Sequence, residues 1–170
     1  NEDYDMKGKM TQALFAWFPY FKNEIYEISL YKLRMNYAPF CLLKLPSALN
    51  KDNDWALMRQ AYAEYDTIRG YFYGDFYPLT EWTSNPNRWD ARMFFVPEEG
   101  EGYAFIACQQ NASSKTNTVK LKGLDPDKQY TVKDFDGLVD ITADGKTLME
   151  QGITVTVPEP REVDIVAKEI

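Results

Sequence analysis

The sequence predicts an α+β chain, with a helical, aromatic-rich first part followed by an antiparallel β-sandwich. Three observations predict it. Up to about residue 80, apolar residues recur at three- and four-residue spacing; beyond it, short alternating runs stand between turn residues. No crossover helix separates the later runs, which disfavours a parallel sheet there.

Taken in order, a helix is expected from about Thr11 to Phe18, stopping at Pro19, and another from Ser29 to Asn36. Ala38 to Pro46 is an apolar run without alternation that ends at a proline, the pattern of a strand covered on both faces. No partner strand for it is legible, so it should lean on something outside this chain or on the sandwich, because unpaired backbone groups are costly to bury. Lys51-Asp52-Asn53-Asp54 offers caps for a helix in which Trp55, Met58, Tyr62, Tyr65 and Ile68 form one apolar stripe. Gly70 is placed to close that helix in the left-handed conformation.

The second part reads as strands. Met93 to Val96 leads through the glycine turn at Glu98 to Gly102 into Tyr103 to Cys108. Thr118 to Lys122 alternates strictly, which turns Val119 and Leu121 to a core and Lys120 and Lys122 to water. Asp125-Pro126-Asp127 is turn chemistry before Tyr130 to Val132, and Ile153 to Val157 and Val163 to Val166 complete the set.

Composition narrows the chemistry. The 170 residues carry 19 basic and 26 acidic side chains, a formal charge of −7, with no basic cluster, so nucleic acid is not an expected partner. There is no histidine. That removes histidine-dependent nucleophiles and metal sites, and leaves acid–base work to carboxylates, tyrosines or lysines. Cys41 and Cys108 stand among apolar neighbours and are expected as buried free thiols. No apolar run approaches membrane-spanning length, and Asn1-Glu2-Asp3 lacks a leader and an initiating Met, which predicts a soluble fragment or processed chain. The compartment stays open between cytoplasm and periplasm.

Acidic residues are plentiful, but Asp125, Asp127, Asp134 and Asp136 sit where short polar side chains brace turns. Asp134, Asp136 and Asp140 do not match a calcium loop. Tyr71 to Tyr77 is the most aromatic stretch. It can plug two parts of the chain together, or it can stack on a sugar through Tyr73 with Asp75 binding hydroxyls.

Several phrases resemble glycoside hydrolase family 36, the α-galactosidases. Leu14 to Tyr20 resembles the segment leading into that family's last barrel units, and Tyr73 to Thr80 resembles the segment after its last barrel helix. Gly100-Glu101-Gly102, Leu121 to Pro126 and Gly145 to Gly152 resemble its carboxy-terminal sandwich, in the same order.

The resemblance implies a carboxy-terminal portion of a retaining hydrolase of terminal α-galactosides that needs no cofactor. Residues 1–80 would be a helical remnant of a (β/α)8 barrel and residues 85–170 the sandwich. The family's nucleophile has no counterpart here. Asp3 loosely echoes its acid/base segment, and Trp17, Tyr73 and Asp75 are the implied substrate contacts. The chain alone should then be inactive, with a homo-oligomer left open. Lys22-Asn23-Glu24 departs from the loop expected after Trp17-Phe18-Pro19. The rival reading is a non-catalytic carbohydrate-binding module, which needs an exposed aromatic row, with Tyr103, Phe105 and Tyr130 as candidates.

Overall fold

The computed structural model describes residues 10, 14, 22–25, 28–43, 49, 51–82, 85 and 87–170. The helix expected over 11–18 falls almost wholly outside them.

The first described elements form a strand–helix–strand unit. Strands β1 (Lys22–Ile25) and β2 (Phe40–Leu43) pair in parallel, Lys22 opposite Phe40, and helix α1 (Leu30–Met35) connects them. The apolar run at Phe40 therefore has the partner that the sequence did not reveal. Lys-Asn-Glu-Ile is too polar and too short to signal a strand, yet its backbone supplies the ladder that a buried run requires. Lys22-Asn23-Glu24, which departs from the loop expected after Trp17-Phe18-Pro19, is the start of this strand. The Ser29 hydroxyl caps α1 by accepting from Lys32 N at 3.2 Å.

Helix α2 (Trp55–Ile68) starts where Asp54 Oδ1 accepts from Ala56 N and Leu57 N, each at 3.0 Å. Its stripe is only partly inward. Met58 and Ile68 are buried, whereas Trp55 and Tyr62 keep 43% and 42% of their surface. The seam passes through small Ala61, which packs with Met58 against Leu33 of α1 and leaves the two large rings on the rim. Gly70 does not close the helix. The left-handed glycines are Gly100, Gly123, Gly137 and Gly152, and α2 runs on into a 3-10 turn over Arg69–Tyr73.

The centre of the molecule is a six-stranded, wholly antiparallel sheet. It consists of β3 (Asp75–Pro78), β4 (Trp89–Val96), β5 (Glu101–Cys108), β7 (Gln129–Asp134), β8 (Asp140–Asp144) and β10 (Glu162–Glu169), in the order β3-β4-β5-β10-β7-β8. A second, two-stranded layer pairs β6 (Thr116–Val119) with β9 (Ile153–Thr156), and helix α3 (Gly145–Glu150) precedes β9. Between the layers lies the larger core, where Met93, Ile106, Val132 and Ile165 meet Val119, Leu121, Leu148 and Val155. This is the antiparallel sandwich that the alternating runs predict.

The opposite face of the sheet is covered too. Phe94, Tyr103 and Phe105 pack on Met35, Ile68, Tyr71 and Phe72 from the helical part. Hence β4, β5 and β10 are buried on both faces. The aromatic stretch at 71–77 joins the parts: the Phe72 ring meets Phe94 edge-on at 4.9 Å and Tyr103 at 5.8 Å. Both cysteines are free, Cys108 buried and Cys41 partly so. Among the described residues, no helix is long and apolar enough to cross a membrane.

Candidate functional site

The densest group of titratable side chains lies where the helical layer meets the sheet. The cap at Ser29 starts α1 so that Arg34, one turn on, points inward and is fully buried. Its Nε and Nη2 donate to the Glu64 carboxylate of α2 at 2.9 and 2.8 Å. Nη1 and Nη2 donate to Asp136, in the β7–β8 turn, at 2.7 and 3.0 Å. Nη1 also reaches Glu162 Oε1 of β10 at 3.2 Å, and Asp164 Oδ2 lies 3.8 Å from Nε. Arg161 donates to Asp136 as well. Tyr103 closes the far side, its hydroxyl donating to Asp164 Oδ1 at 2.5 Å, and the Tyr37 hydroxyl donates to Ala61 O at 2.7 Å and to Glu64 at 3.2 Å.

Two guanidinium groups thus face four carboxylates, and burial decides how those titrate. Desolvation, then the charge of Glu162, pushes Asp164 up to about 7 against the pull of Arg34. Desolvation also raises Glu162. Asp136, nearer water, is held below the usual carboxylate range by the hydrogen bond from Arg34. Burial alone would lower Arg34, but its bonds to Glu64 and Asp136 hold it well above the ordinary value. Shifted carboxylates mark catalytic sites as well as structural ones. Here the Glu162 and Asp164 side chains are 3% and 0% exposed, so no substrate reaches them, and what the group does is fasten α1, α2, β10 and the β7–β8 turn to one another.

The sequence placed Asp134 and Asp136 in a turn, and Asp134 does brace one, accepting from Asp136 N at 3.1 Å and from Val139 N at 2.6 Å. That Asp136 also holds Arg34 was missed. An arginine on a short helix reads as solvated, and its partners lie between 30 and 130 residues away.

Of the expected site residues, Asp3 and Trp17 lie outside the described residues. Tyr73 is exposed and borders a pocket of about 380 Å³ with Pro39, Phe40, Cys41 and Tyr65, at the start of β2 and the end of α2. Asp75 is not among that pocket's lining residues; it stands on the edge strand β3 opposite Phe95, with the Tyr77 hydroxyl donating to it at 3.3 Å. Tyr103, Phe105 and Tyr130 are at most 1% exposed and form no surface row. Among the described residues, no cluster of carboxylates and thiols could hold a metal ion.

The described residues thus form a helical layer on one face of an antiparallel sandwich, with the Glu162 and Asp164 carboxylates closed off between them. Comparison with known proteins gives a family match over part of the chain. Residues 89–164 match the family described as Glycosyl hydrolase family 36 C-terminal domain. Among solved structures, the galactosidase domain of the α-galactosidase–sucrose kinase AgaSK aligns with a TM-score of 0.78 at 17% identity, over 99% of this chain and 25% of that one. The α-galactosidase AgaB of Geobacillus stearothermophilus aligns with a TM-score of 0.65 at 19% identity, over 88% of this chain and 21% of that one. A variant of AgaA from the same organism, in complex with stachyose, gives 0.60 at 19% identity, over 82% and 19%. No curated protein matches. The sequence resemblance is borne out: residues 89–164 match the family 36 carboxy-terminal domain, and the chain spans a quarter or less of the length of the α-galactosidase structures it aligns with.

Proposed function

We propose that the chain is the carboxy-terminal portion of a retaining α-galactosidase-like hydrolase acting on terminal α-galactosides, stachyose among them. In this proposal residues 1–80 complete a (β/α)8 barrel and residues 85–170 are its structural accessory sandwich. What carries the reading is that one alignment to an α-galactosidase runs through both parts, covering 99% of the chain. The parallel β1-α1-β2 unit followed by α2 is the repeat from which such a barrel is built.

Retaining hydrolysis needs two carboxylates about 5–5.5 Å apart, one attacking the anomeric carbon and one protonating the leaving oxygen and then activating water. The nucleophile has no counterpart in this chain. Asp3 is our candidate for the acid/base, with Trp17 as a sugar contact. Barrel active sites open at the carboxy-terminal ends of the strands, past Leu43 in β2. The pocket beside Tyr73 is at the other end, against Pro39 and Phe40. We therefore assign Tyr73 and Asp75 to the junction with the sandwich rather than to the catalytic mouth.

A chromogenic α-galactoside tests the proposal. The chain alone should give no turnover, and the longer parent protein should hydrolyse the substrate with retained anomeric configuration, followed by NMR. Turnover by the chain alone at the parent's rate, or a parent inactive on α-galactosides, would overturn it.

A further inference from the structure

We propose that the sandwich carries a non-catalytic binding site for a neutral saccharide, in the groove between the β3–β4 connection and the loop before β6. The groove encloses about 450 Å³ and is lined by Glu81, Asn87, Arg88, Trp89, Ser113 and Asn117, among others. That volume falls within the range of about 300–1,000 Å³ usual for small-ligand sites.

Its walls are fixed before any ligand arrives. The Trp89 indole N–H donates to Ser114 O at 2.9 Å, which ties the ring to the loop before β6. The Ser114 hydroxyl donates to Thr116 O at 2.8 Å and accepts from Thr116 N at 3.1 Å. Thr116 and Thr156 hydroxyls then pair at 2.9 Å across β6 and β9. Thr80, another lining residue, accepts at Oγ1 from Ala91 N at 2.9 Å.

The hydrogen-bonding capacity of the groove is, by contrast, unspent. The side chains of Glu81, Arg88, Ser113 and Asn117 make no bond to another described residue, although each borders the space. Together they offer a carboxylate, a guanidinium, an amide and a hydroxyl, planar donors and acceptors that suit adjacent hydroxyl groups. Glu81 and Arg88 offset one another in charge, which selects against a strongly anionic or cationic ligand. The indole adds an apolar face for ring C–H groups. An uncharged, hydroxyl-rich ring answers all of these features. The site is independent of the catalytic proposal above, because the side chains that would meet the ligand, Glu81, Arg88, Trp89, Ser113 and Asn117, all lie beyond residue 80.

Titrating the chain with stachyose, and separately with inorganic phosphate, tests this by NMR of the Trp89 indole N–H and the amides of residues 113–117. Stachyose should produce saturable shifts there with a dissociation constant on the order of 1 mM, as befits a shallow open site. Arg88→Ala and Asn117→Ala are exposed or half-exposed changes; each should weaken binding about fivefold or more while the unfolding curve stays in place. No saturable shift with sugar, shifts that both variants leave unchanged, or binding of phosphate in its place would each overturn the inference. The readout needs no turnover, so an inactive parent enzyme would leave it standing.

Discussion

Arg34 shows what one residue costs when its partners are buried with it. Replacing it with methionine would roughly keep the volume and leave Glu64, Asp136, Glu162 and Asp164 with only Arg161, bonded to Asp136, as a partner guanidinium in the group. Breaking a buried ion pair in this way costs roughly 3–5 kcal/mol, and urea unfolding of Arg34→Met should show a loss of that size. Asp164 supplies a test of sign. It faces Arg34 of α1, Glu64 of α2, Tyr103 of β5, Arg92 of β4 and Glu162 of its own strand. Its folded value, up to about 7, lies above the ordinary 3.8, so the folded state binds the extra proton between those values. Stability from this group is complete below about pH 4 and is lost as pH rises through 7. Asp164→Asn fixes the neutral form. The melting temperature of the variant relative to the parent chain should therefore rise from pH 4 to pH 8, and a relative fall over that range would contradict the assignment.

At the scale of elements, legibility followed the number of faces buried. Thr118 to Lys122 and Ile153 to Val157 each have one wet face, and both alternations were read and found, with Val119, Leu121, Ile153 and Val155 inward. β4 is covered on both sides, so Asp90, Arg92, Met93 and Phe94 are all buried and no alternation survives to be read. β8 was not read, because Asp140-Ile141-Thr142 is polar and Ile141 is exposed. β1 was missed for a similar reason. Gly74 is a position where the close approach of two elements can be tested directly. A Cβ there would lie 2.3 Å from Phe95 O, a backbone atom in the strand paired with β3. Gly74→Ala should cost roughly 1–3 kcal/mol by forcing β3 off β4, read as a lower denaturant midpoint. An unchanged midpoint would show that β3 is free to shift.

Over the whole molecule, the sheet is the middle of three layers, and that arrangement governs how it unfolds. The side chains that bind the helical layer to the sheet are Phe72, Phe94 and Tyr103 at the apolar end and the Arg34 group at the polar end. None of those pairings is local in sequence, so the sequence could show the aromatic stretch at 71–77 but not what it would plug. With both faces of β5 buried, exposing either face leaves core residues in water, and the two parts should unfold as one unit. Phe72 tests this because it touches the sheet and belongs to the helical side. Truncation to alanine leaves a cavity against Phe94 and Tyr103, with an expected loss of about 3–5 kcal/mol. If the layers are coupled, native-state hydrogen exchange in Phe72→Ala should show the amides of α2 and β5 losing protection by the same amount. Loss confined to α2, with β5 still as protected as in the parent chain, would mean that the sandwich stands alone and the helical layer is an attachment to it.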